Sequence, residues 1–551
     1  MRIRKSKNGI TVKAYSGTTG ILLAFNIDDA LKEDFLGFAI ERVGNGKTAW
    51  LQGILSFPNE LVREYKAVDS NIAPIQKFRW SDYTVHDGSE YIYRIFGMHG
   101  SPSQLKSIEG PEIKINTQPL DTGKHQILFN RAVAASQAYT TKFGQIKPST
   151  DPTTVSKEEA KKIMDARAWL SRGLKEKIQS FMSLAKDNTH RLEVCIYEFE
   201  LKEYVDALQK ALNRGVEVEV VYHAKKNDTQ TLVNEEIIAP LPSSIRTPRN
   251  TSKIFHHKFI VLSEKQPDGS WKPLKVLSGS TNWTFNGVYQ QGNVGHVMED
   301  ETIAKTYHDL FTFIKAHPDQ TQKVNNVKPF NNTNSGLSLT EPISVSFSPR
   351  TGKDDLLAII AAIDGAKESM ILCSAFDIYE DIISAIQNQP KIVKYGLQNS
   401  SSKITGFHRD FNSSFVVPAF LAKGIEGEFK TEITARRKGE GNIFIHLKTI
   451  VLDFSTNDPT VITGSHNFSK SASEGNDENL ICIRGDTDVA DVYTIEMFRL
   501  YDHYRFRFNQ KEAASLGKST SIKPLAVDNS WLTDYFTPGM LEQRERILFS
   551  Q

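Results

Sequence analysis

Cysteine is scarce in this chain. Its three copies, Cys195, Cys373 and Cys482, lie far apart among apolar neighbours such as Val194, Ile196, Ile481 and Ile483. A disulfide framework and a cysteine-held metal are therefore excluded, and the thiols read as reduced core side chains. Long apolar runs are missing too: nothing approaches the roughly 18 consecutive residues of a membrane span. The basic opening at residues 1–5 is not followed by the apolar segment of a signal peptide, so the expected location is cytoplasmic. Nor is charge of one sign in excess. Lys+Arg number 67 against 65 Asp+Glu, a formal net charge of +2, which excludes bulk attraction to DNA or a bilayer and requires any anion recognition to be local. What is present is an ordinary globular mixture, 39% hydrophobic and 24% charged over 551 residues, enough for three or four domains with cores of their own.

Residues 1–118 read as an all-β sandwich, with β-type runs at 10–12, 21–25, 38–43, 48–51, 91–96 and 112–115 separated by Gly, Asn, Asp and Ser. Tyr91 and Tyr93 fall on one face of their strand; with the run 78–83 they resemble the later strands of a fibronectin type III domain. Gly44-Asn45-Gly46-Lys47-Thr48 ends like a phosphate loop. The first glycine of such a loop would have to occupy the position of Glu41, so the segment is expected to be a turn between strands.

From about residue 119 helix and strand alternate. Helical periodicity covers 157–185, through Trp169, Leu170, Leu174, Ile178 and Leu184; a strand at 191–197, a helix stopped by Gly215 and a strand at 216–221 complete a βαβ unit. After the Asn- and Ser-rich stretch 331–336 the pattern returns, with a helix at 354–366 and a strand at 369–376 in which Cys373 takes the place of Cys195. A period of roughly 180–190 residues is too long for a solenoid and implies two homologous α/β halves, 119–330 and 331–551. The tail beyond about 516, with Trp531, Tyr535, Phe536 and Phe549, is expected to dock on the body of the protein.

Each half ends in the same constellation. His256, Lys258 and an apolar run precede Gly279-Ser280-Thr281-Asn282; His446, Lys448 and an apolar run precede Gly464-Ser465-His466-Asn467. On a strand, His and Lys two apart share one face. An imidazole, an ammonium and an amide are what phosphodiester chemistry without a metal requires: a nucleophile or acid, a charge for the nonbridging oxygens and a hydrogen-bond donor. Arg246, Arg249 and Lys253 precede the first motif and Arg436, Arg437 and Lys438 the second, placing positive charge at both entrances.

These residues resemble the H-x-K-(x)4-D and G-S-x-N signatures of the phospholipase D superfamily, over about 130–515. The resemblance implies two α-β-α lobes related by a pseudo-twofold axis, meeting in one site that acts on a phosphodiester without metal or other cofactor. There are departures. Ser263 stands where the first motif should have the aspartate that Asp453 supplies in the second. Downstream, Asn476-Asp477-Glu478-Asn479 matches the family's acidic partner for histidine, whereas the first half has Gln291-Gly292-Asn293-Val294 with no carboxylate. The expectation is that Glu478 sits beside His446 and favours its imidazolium as the acid, while His256 stays neutral and attacks phosphorus. Lys258, Lys448, Asn282 and Asn467 would hold the phosphoryl oxygens, with Ser280, Ser465, Arg249, Lys253, Arg436 and Arg437 binding substrate.

The remaining candidates have plainer readings. His257 is expected to pack on the opposite face of its strand; His223 stands at the carboxyl end of a strand, where α/β sheets place ligands, and either faces a ligand or caps the strand end. His466 either lines the pocket or is solvated; Trp283 and Phe468 are core anchors in preference to stacking platforms. Absence of membrane segments, basic entrances and nearby aromatics favour a nucleic-acid strand as substrate. The alternatives are phospholipase D-type hydrolysis or headgroup exchange, and a non-catalytic nucleic-acid-binding scaffold. The N-terminal β domain would then position substrate or a protein partner.

Overall fold

Two mixed sheets carry the repeat. In the first half the strands lie, edge to edge, in the order His125–Phe129, Val294–Met298, Trp271–Gly279, Lys258–Lys265, His190–Ile196, Glu217–Ala224, Arg246–Thr251 and Asp319–Gln320. The second half repeats the order as Ile343–Ser348, Glu478–Arg484, Thr460–Gly464, Thr449–Leu452, Ser369–Ser374, Val393–Gln398 and Ser413–Val416. This computed structural model describes residues 1–58, 67–133, 135–251, 253–320, 327–399, 412–419, 444–519 and 523–551. The registers of the halves coincide. Cys195 lies opposite Phe259 and Cys373 opposite Thr449, in each case the residue after the motif lysine. The amides of Ser280 and Ser465 donate to the carbonyls of Val294 and Asn479. These registers make Glu198 the counterpart of Phe376, and Asn293 the counterpart of Glu478. All three thiols are free and buried.

The halves meet through one continuous apolar core that takes Val261, Tyr307 and Val294 from the first and Phe347, Val451 and Tyr493 from the second. In each half a helix follows the last motif strand, Glu301–Ala316 and Thr487–Ser515. Each packs on its own sheet and touches the edge strand of the other half. Among the described residues no helix is long and apolar enough to cross a membrane.

The N-terminal region forms two antiparallel sheets, Arg2–Lys7, Ile10–Ser16, Ile21–Ile27, Arg79–Asp82 and Gln104–Asn116, Glu90–Ser101, Phe35–Gly44, Lys47–Trp50. They enclose a common core containing Phe25, Phe38, Tyr91, Tyr93 and Ile113. The glycine-rich segment at 44–48 is a two-residue hairpin turn: Gly44 pairs with Lys47, and Asn45 and Gly46 take φ of 52° and 71°, the geometry that suits strand twist.

One expectation needs correction. The periodic stretch 157–185 is two helices, Lys157–Ser171 and Leu174–Ser183, because Arg172 and Gly173 turn left-handed at φ 49° and 87°. The turn sends the Arg172 guanidinium to Glu496 on the long helix, at 2.8 Å. The Asn- and Ser-rich stretch is part of a helix, Val327–Asn334, in which Asn331 is buried and donates to the Pro349 carbonyl. The C-terminal tail docks on the sandwich. Trp531 stacks on Phe35 and Phe78, and the last helix, Leu541–Ser550, buries Phe549 against Phe454 and Phe498.

Candidate active site

The segments that carry the motif histidines leave their own sheets and pair across the interface. Phe255 bridges to Asp477, and Ile445 to Gly292. The His256 amide donates to the Asp477 carbonyl at 2.8 Å, and the His446 amide to the Gly292 carbonyl at 2.9 Å. The two crossings are equivalent under the repeat, and they bring the imidazole centroids to 6.3 Å. Only 5% of His256 and 4% of His446 is exposed.

Each ring is oriented by the opposite half, and the orienting groups differ. His256 Nδ1 faces Glu478 Oε2 at 2.9 Å, while Glu478 Oε1 accepts from Asn476 Nδ2 at 2.9 Å. His446 Nδ1 lies 3.0 Å from both the Ser280 carbonyl and Asn293 Oδ1. Both are acceptors, so that nitrogen carries the proton and Nε2 is left for the cleft. This reverses the expected pairing: the carboxylate belongs to His256, and His446 has an amide. The reason is the crossed connection, which sends the end of each half's motif to the other half's histidine. Burial, and then the charges of Lys258 and Lys448, hold both imidazoles well below the usual histidine range. Burial pushes the Glu478 carboxyl up.

The lysines complete the floor. Lys258 Nζ donates to the His256 carbonyl at 2.7 Å and Lys448 Nζ to that of His446 at 2.8 Å. Both lysines are lowered, chiefly by burial, and Lys448 further by Lys258; Glu478 and Glu198 oppose the shift. Asn282 Nδ2 donates to Glu198 Oε2, and the Oδ1 atoms of Asn282 and Asn467 are buried without a hydrogen-bond partner among the described residues. Ser280 Oγ donates to Asn293 Oδ1, and Ser465 Oγ accepts from the Asn479 amide, so both serines brace the orienting strands.

The other candidates fall into place around this centre. Arg249 is fully buried and its guanidinium is spent on Asp477 and the His317 carbonyl; it ties the halves together and is not offered to a substrate. Lys253 lies against Gly475 of the other half. Arg436 and Arg437 lie outside the described residues. Asp453 is not at the site: at φ 52° its carboxylate accepts from the amides of Lys367, Glu368 and Ser369, capping the entry to the strand Ser369–Ser374. His257 packs edge-on against Phe255, Phe259 and Phe347. His223 Nδ1 accepts from the Phe255 amide. His466, also buried, accepts from the Phe468 amide and lies 3.5 Å from Asp355. Trp283 and Phe468 are core residues.

Four residues that the motifs did not single out belong to the site: Asn293, Glu198, Tyr197, whose ring is 5.1 Å from His256, and Phe376, at 6.5 Å from His446. Register against the repeat could have located Asn293. Nothing local marks the other three.

A family model described as "Cardiolipin synthase, PLD-like domain" matches residues 179–314 and 359–500. The mitochondrial cardiolipin hydrolase of Xenopus tropicalis is 30% identical over 122 residues, 22% of this chain and 52% of that protein, so the chain spans about half the length of the curated relative it matches. Among solved structures, phosphatidylserine synthase from Haemophilus influenzae aligns over 69% of this chain and 94% of its own at 12% identity (TM-score 0.43). The phospholipase D family member Nuc from Salmonella typhimurium aligns over 26% of this chain and 88% of its own at 19% identity (TM-score 0.21). The matched spans make up just over half of the 551 residues and carry both His-x-Lys pairs; the chain belongs to the phospholipase D-like family.

Proposed function

We propose that the protein is a phosphodiesterase that works through a phosphohistidine on His256, with a nucleic-acid strand as substrate. The observation that carries the chemistry is the pair of imidazoles 6.3 Å apart, each tethered through Nδ1. In the first step His256 Nε2 attacks phosphorus, the bond to the leaving oxygen breaks, and His446 gives that oxygen its proton. In the second step His446 takes a proton from water, the oxygen displaces His256, and the P–N bond breaks. Glu478 favours His256 as nucleophile, because the ring becomes cationic when phosphorylated and a carboxylate on Nδ1 stabilises that charge. His446, facing a neutral amide, binds its proton less tightly, and the anionic substrate supplies the charge that favours protonation on binding. Lys258 and Lys448 supply the positive charge for the nonbridging oxygens, so no step calls on a metal.

The substrate reading rests on Phe376, 42% exposed beside His446, a ring placed for a base to stack on next to the leaving group. The phospholipid reading is favoured by the descriptions of the matched family and relative, both of which name cardiolipin. In EDTA, the protein offered single- and double-stranded DNA, RNA, and vesicles of phosphatidylcholine or cardiolipin is expected to cut nucleic acid, and His446→Ala to abolish cutting. Release of a lipid headgroup with nucleic acid untouched would decide for the lipid reading. Binding without turnover of any substrate would decide for a scaffold.

A further inference from the structure

Glu198 is a carboxylate at a phosphate site. It takes the amide hydrogen of Asn282, the group otherwise placed to face a phosphoryl oxygen, and its charge acts on both Lys258 and Lys448; burial pushes its own carboxyl up, while Lys258, Lys448 and the Asn282 amide favour the carboxylate. The fold does not require it. At the equivalent position of the second half stands Phe376, 42% exposed, and Asn467 has no carboxylate partner among the described residues. With Glu478, Glu198 sets two carboxylates against the two lysines, so among the described residues the cradle holds no excess of positive charge for a multiply charged anion.

We propose that Glu198 makes the site selective for phosphodiester monoanions and against phosphomonoesters and inorganic phosphate. This rests on the phosphodiesterase reading above. A diester brings one negative charge next to the carboxylate, whereas a monoester or free phosphate brings up to two at neutral and alkaline pH. Repulsion scales with the charge brought in, in a site where burial weakens screening. The same device would keep the enzyme from being held by phosphomonoester products.

The test is direct binding to the full chain at about pH 8, where a phosphate monoester or free phosphate is predominantly doubly charged, with inorganic phosphate and dimethyl phosphate as probes in calorimetry. Because the interaction is proportional to charge, Glu198→Gln should tighten dimethyl phosphate by about threefold and inorganic phosphate by about tenfold, the square of that factor. Glu198→Asp, which keeps the charge, should retain the discrimination of the natural protein. Equal tightening of both probes by Glu198→Gln, or none, overturns the proposal. So does weaker binding of both probes in both variants, which would make Glu198 only a tether for Asn282. Because the readout is binding, it is independent of turnover: failure of the natural protein to cut any diester would count against the phosphodiesterase reading alone.

Discussion

At the scale of single residues, the two orienting groups differ because their surroundings differ. Asn293 accepts from His446 and Ser280 through Oδ1 while its Nδ2 donates to the Gly287 carbonyl at 2.8 Å. An aspartate there would face that carbonyl with an oxygen. Glu478 has a donor at each oxygen, Asn476 and His256, and a carboxylate satisfies both. Glu478→Gln keeps the size and removes the charge; it should lower the rate of phosphohistidine formation by ~100-fold with the fold intact, measured by acid-labile label in single turnover. The label should fall on His256 and be lost in His256→Asn, and a label on His446 would reverse the roles. The pH profile follows from the same shifts. Since His256 is held well below the ordinary range, it stays neutral and nucleophilic on acidification past about pH 6.5. His446, the proton donor, and both lysines are lowered as well, so the donor's proton and then the lysines' charge are lost earlier than usual as pH rises. Turnover should therefore be maintained into mild acid and decline on the alkaline side well before pH ~10, the ordinary lysine value. The two His-x-Lys pairs and the Gly-Ser-x-Asn turns are legible in the sequence because each is local. The partnership of Glu478 with His256 is not, since 222 positions separate them and only the crossing of the chains makes them neighbours.

At the scale of elements, the difference between Ser263 and Asp453 is a matter of strand length. The second motif strand stops at Leu452 and the chain turns at Asp453 with φ 52°. The first runs on to Lys265, so Ser263 is interior to a strand and has no loop entry to cap. What reads in sequence as a damaged motif is thus a longer ladder. Asp453→Ala should cost about 1–2 kcal/mol, as for loss of a helix cap, in thermal unfolding while leaving turnover per folded molecule nearly unchanged; a large fall in kcat would return Asp453 to the catalytic set. The βαβ order was readable from apolar runs and Gly215. The break at Arg172 was not, because apolar spacing continues through it and the left-handed turn is held by an ion pair with Glu496, far along the chain.

At the scale of the molecule, the ends close the structure. Arg79 of the sandwich pairs with Asp502 on the long helix and Glu545 on the last one, and the Tyr15 hydroxyl donates to the Phe549 carbonyl. The tail's aromatics announced a docked segment, but not that its seat is the N-terminal sandwich. Phe549→Ala, removing a fully buried ring, should destabilise the whole protein by ~3–5 kcal/mol, visible as an earlier denaturant midpoint. His257, His296, His446 and His503 are all held well below their ordinary range by burial. The unfolded chain therefore takes up more protons than the folded one as pH falls, and stability should decline below about pH 6.5; a flat stability profile between pH 7 and 5 would contradict it.

The crossed tethering has a consequence for how such a gene can be divided. A polypeptide ending between the halves would keep an imidazole, a lysine and an amide, yet the group that aims the ring would be encoded on the other fragment. Two separately expressed fragments should each be silent, and mixing them should restore catalysis in proportion to the product of their concentrations until the association saturates.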